Sequence, residues 1–167
     1  MAIGAGLAGG GLGCERPAGS AAVTDPSQGV VGVASDDAEM NAAITRARSS
    51  VSRFTAAFAS KDPGLSFFSV KKPYAQRSGG KEHIWIDVTE IAGDTIRGTI
   101  ADDPLDIAGM RFGDAVELTV EEITDWMYVN AAREVVGGYT IRVLVHRSTP
   151  EELAASGLAA MRFAEPD

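Results

Sequence analysis

The sequence predicts an α+β fold: a mainly antiparallel, twisted sheet of five or six strands, packed by one long N-terminal helix and a short C-terminal helix. Three observations support this prediction. Residues 82–100 alternate aliphatic and polar side chains at period two on both sides of Gly93, which is typical of a β-hairpin. Apolar residues recur at steps of four and three through residues 40–58, which is typical of an amphipathic helix. The other β-rich segments follow one another through short connections, which favours antiparallel pairing.

Length and composition divide the chain into two predicted parts. The 167 residues are 45% hydrophobic and 23% charged, enough apolar material for one globular core. We predict a signal remnant and flexible tether over residues 1–35, which are rich in small residues and lack periodicity, and a single α+β domain over residues 36–163.

The net charge of −8 is concentrated in residues 101–125, which hold eight acidic residues against Arg111. These acids are Asp102, Asp103, Asp106, Asp114, Glu117, Glu121, Glu122 and Asp125. Such a segment repels phosphate backbones, so we expect no nucleic-acid partner. The segment is either a solvated acidic face or a docking surface for a basic partner.

The N-terminal region contains two motifs of unequal value. Residues 4–9 match G-x-G-x-x-G, but the glycine run at 9–11 and Pro17 prevent the helix that a dinucleotide site requires. Gly13 and Cys14 instead resemble the end of a bacterial lipoprotein signal, in which a small residue precedes a lipidated cysteine. We therefore expect export to the cell envelope with a lipid anchor at Cys14 as the only membrane contact. The alternative is a disordered leader on a cytoplasmic protein.

The first predicted element of the domain is a helix over residues 36–60. Its apolar stripe consists of Met40, Ile44, Ala47, Val51, Phe54 and Phe58. Asp36 and Glu39 fit a capping box at its start, and residues 62–64, Asp-Pro-Gly, end it.

Strands are predicted at residues 65–74, 115–120, 126–130 and 134–147, in addition to the hairpin. In the hairpin, a three-residue loop at residues 92–94 places Ile86 opposite Ile100 and Val88 opposite Gly98, so both aliphatic sets share one face. The last strand would carry Tyr139 on one face, together with other apolar residues at period two. Thr149 is the predicted cap of a short helix at residues 150–161.

Five segments, taken in order along the chain, carry a family resemblance. They are DDAEMNAAITRARSS at 36–50, FFSVKKPY at 67–74, EHIWIDV at 82–88, I-x-D-W at 123–126 and GGYTIRVL at 137–144. In this order they resemble the YegJ-like family of bacterial proteins, a conserved domain of unknown function, over residues 36–150. The resemblance implies that some members are envelope lipoproteins, in agreement with Cys14. It brings no reaction, cofactor or catalytic residue.

The candidate functional residues are polar and aromatic side chains of the predicted sheet. The predicted binding surface consists of His83, Trp85, Asp87, Asp125, Trp126 and Tyr139. The chain lacks a nucleophile elbow, a P-loop and zinc-ligand spacing, which favours a non-catalytic binding domain with no cofactor and an unknown protein or small-molecule partner. The alternative is a small enzyme or metal-binding protein that uses His83, Asp87 and His146, which requires His146 on a last strand beside the hairpin.

Simpler structural roles stay open for the same residues. Aromatic side chains on strands often fill the core and use a polar atom at one end to find a hydrogen-bond partner. Asp125 would then close the turn before the strand at 126–130. In that case His83 is a half-exposed sheet residue, and His146 lies near a strand end.

Overall fold

Six strands form one antiparallel sheet in the order β4-β3-β2-β1-β5-β6 in the computed structural model, which describes residues 37–164. The strands are β1 (Ser66–Ala75), β2 (Lys81–Ala92), β3 (Thr95–Ile100), β4 (Ala115–Thr119), β5 (Asp125–Val129) and β6 (Val135–Gly137). The helices are α1 (Ala38–Ser49), α2 (Val51–Ser60), α3 (Tyr139–Arg147) and α4 (Pro150–Ala155). The α+β class and the antiparallel six-stranded sheet are as predicted.

The N-terminal helical region is two helices, where the sequence predicted one long helix. Ser50 separates α1 from α2, and its hydroxyl donates a hydrogen bond of 2.7 Å to the carbonyl of Arg46. A serine hydroxyl that bonds back to the preceding turn competes with the backbone ladder and bends helices. Asp37 is the observed N-cap and accepts a 3.0 Å bond from the amide of Met40. The predicted cap, Asp36, lies outside the described residues.

The hairpin has the predicted pairing, with a different turn. Ile86 is opposite Ile100 and Val88 is opposite Gly98, as predicted. The turn itself is shorter, because Ala92 pairs with Thr95, and a bulge after Val88 restores the register further down the strands. A two-residue turn with Gly93 at φ 60° matches the twist of the strands.

Helices α1 and α2 pack on one face of the sheet, which is the core face. The buried residues of this core are Ala47, Phe54, Val70, Ile84, Ile86, Ile96, Ile100, Leu118, Ile123 and Trp126. Since side chains alternate along a strand, residues 69 and 71 of β1 and residues 83, 85 and 87 of β2 project from the opposite side. We call that side the outer face.

The predicted strand at 134–147 is wrong beyond its first residues. β6 ends at Gly137, and α3 begins at Tyr139 and continues to Arg147. Gly137 and Gly138 have φ of 81° and 62°, conformations that turn the chain out of the sheet. The first amides of α3 then find a partner in the side chain of Asp125. The segment is therefore helical because a distant residue caps it, although its local side-chain pattern favours a strand.

The C-terminal helix is also shorter than predicted. Thr149 caps α4 as expected and forms a capping box with Glu152, but α4 ends at Ala155 and a short 3₁₀ turn follows at Leu158–Ala160. Within residues 37–164, no helix has the length and apolar character needed to cross a membrane. The predicted tether and Cys14 lie outside the described residues.

Candidate functional site

Three adjacent strands place Trp85, Lys71 and Asp125 side by side on the outer face. In the sheet register, Lys71 of β1 is paired with Trp85 of β2 on one side and with Asp125 of β5 on the other. The ammonium of Lys71 lies 4.9 Å from the centre of the Trp85 ring and donates a 3.3 Å hydrogen bond to the hydroxyl of Thr140. An ammonium at this distance from an indole is a cation–π contact.

Asp125 anchors the start of α3 and is fully buried. Its carboxylate accepts hydrogen bonds from the amides of Trp126 (2.8 Å), Tyr139 (3.1 Å) and Thr140 (2.7 Å). It also accepts one of 2.6 Å from the Thr140 hydroxyl. Burial raises the pKa of Asp125, while these hydrogen bonds and the charge of Lys71 act in the opposite direction. A carboxylate at a helix N-terminus compensates the first unpaired amides and the helix dipole.

The Thr140 hydroxyl links the two charges, because it accepts from Lys71 and donates to Asp125. Burial lowers the pKa of Lys71, and the charges of Asp125 and Asp102 oppose that change. Asp102 accepts a 2.8 Å bond from the amide of Trp85, and burial raises its pKa. The site therefore consists of one partly desolvated cation between carboxyl groups. Such coupled, perturbed groups are found at functional sites and also in structural ion-pair networks.

His83 and Asp87 extend the outer face along β2, one on each side of Trp85. Nδ1 of His83 lies 3.1 Å from the hydroxyl oxygen of Thr124, and burial of the ring, followed by the nearby charge of Lys71, lowers the pKa of His83 to about 4. The residue is nevertheless exposed, so solvent weakens this effect. Asp87 is exposed and accepts a 2.8 Å bond from the hydroxyl of Ser69. His83, Trp85, Asp87 and Asp125 are thus brought to one face.

Trp126 and Tyr139, the other two predicted surface residues, lie on the core side. Trp126 is 0% exposed, its indole nitrogen donates a 2.9 Å bond to the carbonyl of Ala47, and its ring centre is 5.8 Å from that of Phe54. Tyr139 packs edge-on against Trp126, and its hydroxyl oxygen lies 3.0 Å from that of Ser50, within hydrogen-bonding distance. Both positions fit the structural alternative of core aromatics with a satisfied polar atom.

The histidines needed for the enzyme or metal alternative lie on different parts of the fold. His146 is on α3 and lines a groove against α1, because the segment expected as a last strand is helical. His83 and Asp87 are on the outer face of β2. Over the described part of the chain, residues 37–164, no three His, Cys, Asp or Glu side chains lie together in a group able to hold a metal ion.

Sequence reasoning missed Lys71, Asp102 and Thr140 as site residues. The sequence alone favours surface positions for Lys71 and Lys72. The pattern of one strand does not reveal which residues of the neighbouring strands lie opposite these lysines. The usable signal is the alternation V-K in β1, which puts Val70 in the core and Lys71 on the other face. To identify the partners of Lys71, one must know the register of β1 with β5, and this register includes an irregularity between Ser66 and Ser69.

Comparisons with known proteins give two relatives and one family. The chain is 35% identical over 118 residues to the uncharacterized protein YegJ of Escherichia coli (strain K12), covering 70% of this chain and 74% of that protein. It is 33% identical over 91 residues to a candidate ankyrin repeat protein of Neisseria meningitidis serogroup B, covering 53% of this chain and 36% of that longer protein. No solved structure matches. The sequence profile described as an uncharacterized protein conserved in bacteria matches residues 37–159, so the chain belongs to the DUF2314 family.

Proposed function

We propose that this chain is a non-catalytic binding domain that works at the bacterial cell envelope and uses its outer face to hold a basic segment of a partner protein. The observation that carries the proposal is the surroundings of Trp85, a half-exposed indole flanked along β2 by the exposed Asp87 and contacted through its amide by Asp102. Carboxylates beside an indole ring favour a cationic ligand. The carboxylates accept charge-assisted hydrogen bonds from the cation, and the face of the ring attracts its positive charge.

The site already accommodates a cation from its own chain. The ammonium of Lys71 lies over the Trp85 ring, and Asp102 and Asp125 both favour its charged form. A lysine or arginine of a partner would approach the solvent side of the same ring, where Asp87 offers a carboxylate with one oxygen bonded to Ser69. The net charge of −8 would steer a basic partner toward the domain.

One of the two relatives supports a binding role. The match to the candidate ankyrin repeat protein covers 36% of its length, so most of that protein lies outside the shared domain. Ankyrin repeats stack into extended surfaces that bind partners. A domain joined to such a surface is compatible with a binding role.

Binding of labelled peptides tests the proposal. Fluorescence anisotropy would compare a short peptide of alternating arginine and glycine with one of alternating glutamate and glycine. We expect saturable binding of the basic peptide only, weakened at least fivefold by Trp85→Ala and by Asp87→Asn and weakened by added salt. Glu121→Gln is the matched control, because it removes one negative charge at an exposed position in the 3₁₀ turn after β4, outside the proposed binding surface.

Two results would overturn it. Equal affinity for both peptides would show that the domain does not select its ligand by positive charge. Equal weakening by Asp87→Asn and Glu121→Gln would mean that the peptide senses net charge alone and that the outer face is no binding site.

The envelope address rests on the sequence around Gly13 and Cys14 and on the composition of residues 15–35. In this proposal, residues 15–35 link the anchored cysteine to the domain. We expect metabolic labelling with a fatty acid to mark the natural protein, and Cys14→Ser to abolish the label and release the protein from the membrane fraction. If wild type takes up no label and both forms fractionate alike, the anchor is excluded, while peptide binding by the domain is unaffected.

A further inference from the structure

A second candidate site lies between α1 and α3, away from the outer face. The two helices run antiparallel, since Arg147 near the end of α3 pairs with Asp37 and Glu39 at the start of α1. At the other end, Ser50 bonds to the hydroxyl of Tyr139. Between these contacts the helices leave a groove of about 330 Å³.

The groove is polar at its rim and apolar along its floor. Its lining comprises Glu39, Ala42, Ala43, Arg46, Tyr139, Arg142, Val143 and His146. Ala43 and Val143 are buried and belong to a small separate core with Met40. The small alanine side chains leave room for a ligand of modest size with an apolar body.

Positive charge at the rim exceeds negative charge. The carboxylate of Glu39 is engaged by the guanidinium of Arg147 at 2.7 Å. Arg142 donates hydrogen bonds to the carbonyls of Gly137 (2.9 Å) and Ala164 (2.7 Å). No described carboxylate forms an ion pair with Arg46, so its guanidinium faces the groove with its charge uncompensated.

We propose that the groove between α1 and α3 binds a small organic anion, a carboxylate or a phosphate monoester, through Arg46 and His146. Arg46 supplies a planar donor fork suited to either group. His146 supplies one ring N–H from the facing helix. The apolar floor contacts the body of the ligand. This inference does not depend on the proposed role of the outer face.

Nuclear magnetic resonance titration of the full chain tests the site at constant ionic strength, with chloride as the reference anion. The probes are inorganic phosphate, phenyl phosphate and benzoate, which separate the anionic group from the apolar body. We expect saturable shifts of the amides of Ala42, Ala43 and Val143, with phenyl phosphate or benzoate saturating at lower concentration than inorganic phosphate. Which of the two saturates first identifies the preferred anionic group.

Variants decide whether Arg46 is responsible. Arg46→Gln should weaken binding at least fivefold and His146→Gln about two- to fivefold. Arg111→Gln is the matched control, because it removes the same charge from the exposed loop before β4. Arg46 is exposed, so its substitution leaves folding intact, and the unchanged amide spectrum elsewhere verifies that. Shifts that do not saturate, or equal weakening by Arg46→Gln and Arg111→Gln, would overturn the proposal.

Discussion

The two sides of β1 are held by different kinds of interaction. On one side, aliphatic residues pair in register from β1 through β3: Val70 lies opposite Ile86, and Ile86 lies opposite Ile100, with each side chain 0–1% exposed. On the other side, β5 and the start of α3 meet at the buried carboxylate of Asp125. Apolar area is lost gradually when a side chain is trimmed, whereas a buried charge that loses its partners costs the whole desolvation penalty. The second side is therefore the more vulnerable to a single change.

Asp125→Ala should have the largest effect. It removes four hydrogen bonds and leaves the first amides of α3 unpaired. It also removes the carboxylate that most favours the charged form of Lys71. Removing one partner of such a buried network costs about 3–5 kcal/mol of unfolding free energy. Urea unfolding followed by circular dichroism would measure it.

A double variant identifies the cause of that loss. If the unpaired ammonium is part of the penalty, Lys71→Met in the Asp125→Ala background should recover some of the lost stability. Glu121→Ala is the control for removal of an acid and should change stability by less than about 0.5 kcal/mol, because Glu121 is exposed. A loss below about 1 kcal/mol for Asp125→Ala would show that α3 does not depend on this cap.

Gly98→Ala tests the hairpin side, where we expect a smaller loss. A β-carbon at Gly98 would lie 2.2 Å from the carbonyl oxygen of Asp87 and 2.7 Å from a methyl carbon of Ile86, so β2 and β3 must separate. Overpacking of this kind costs about 1–3 kcal/mol in unfolding free energy. Gly93→Asn at the turn is the control and should be nearly neutral, since nothing lies within 4 Å and asparagine tolerates positive φ. If Gly98→Ala lowers the unfolding free energy as little as the nearly neutral Gly93→Asn, the hairpin has room for a side chain at Gly98.

The same contrast explains which parts of the fold were predictable. The hairpin register follows from the residues of one short segment, because slipping it by one residue would bury Arg97. The segment at 134–147 carries an equally good period-two pattern, yet α3 forms there because Asp125, 14 residues before Tyr139, caps it. A pattern confined to one segment contains no information about a cap supplied by another strand.

The candidate site also contains some residues that one segment suffices to place and others whose position depends on strand pairing. His83, Trp85 and Asp87 could be placed together because they share one face of one strand. Trp126 could not be separated from them, since its side of the sheet depends on how β5 pairs with β1, and that pairing passes through a bulge. The lysine at the centre, Lys71, is defined only once both of its neighbouring strands are in register.

Phe67 lies at the bulge in β1, and we predict that its replacement increases stability, whereas the variants above decrease it. It is 77% exposed and has φ of 53°, a left-handed conformation that L-residues with large side chains avoid. Phe67→Asn should raise the unfolding free energy by about 0.5–1 kcal/mol, because asparagine adopts this conformation at lower cost. Phe112→Asn is the control, at 65% exposure and without positive φ, and should be neutral within about 0.5 kcal/mol. A loss at Phe67 would indicate that its ring stabilises the bulge through apolar contact.

The smallest effect is expected from His83, which links the outer face to pH. Its pKa in the folded protein is about 4, below the ordinary value of 6.5, so folding disfavours the protonated ring. The contribution of neutral His83 is therefore fully present above pH 6.5 and is lost as the pH falls from 6.5 toward 4. Because the residue is exposed, solvent screening keeps this loss well below the full linkage value. Unfolding curves of wild type and His83→Gln should converge or cross as the pH is lowered through that window, and a proton resonance titration of the His83 ring should give a midpoint below 6.5. Parallel stability curves together with an ordinary midpoint would show that neither Lys71 nor burial acts on this ring.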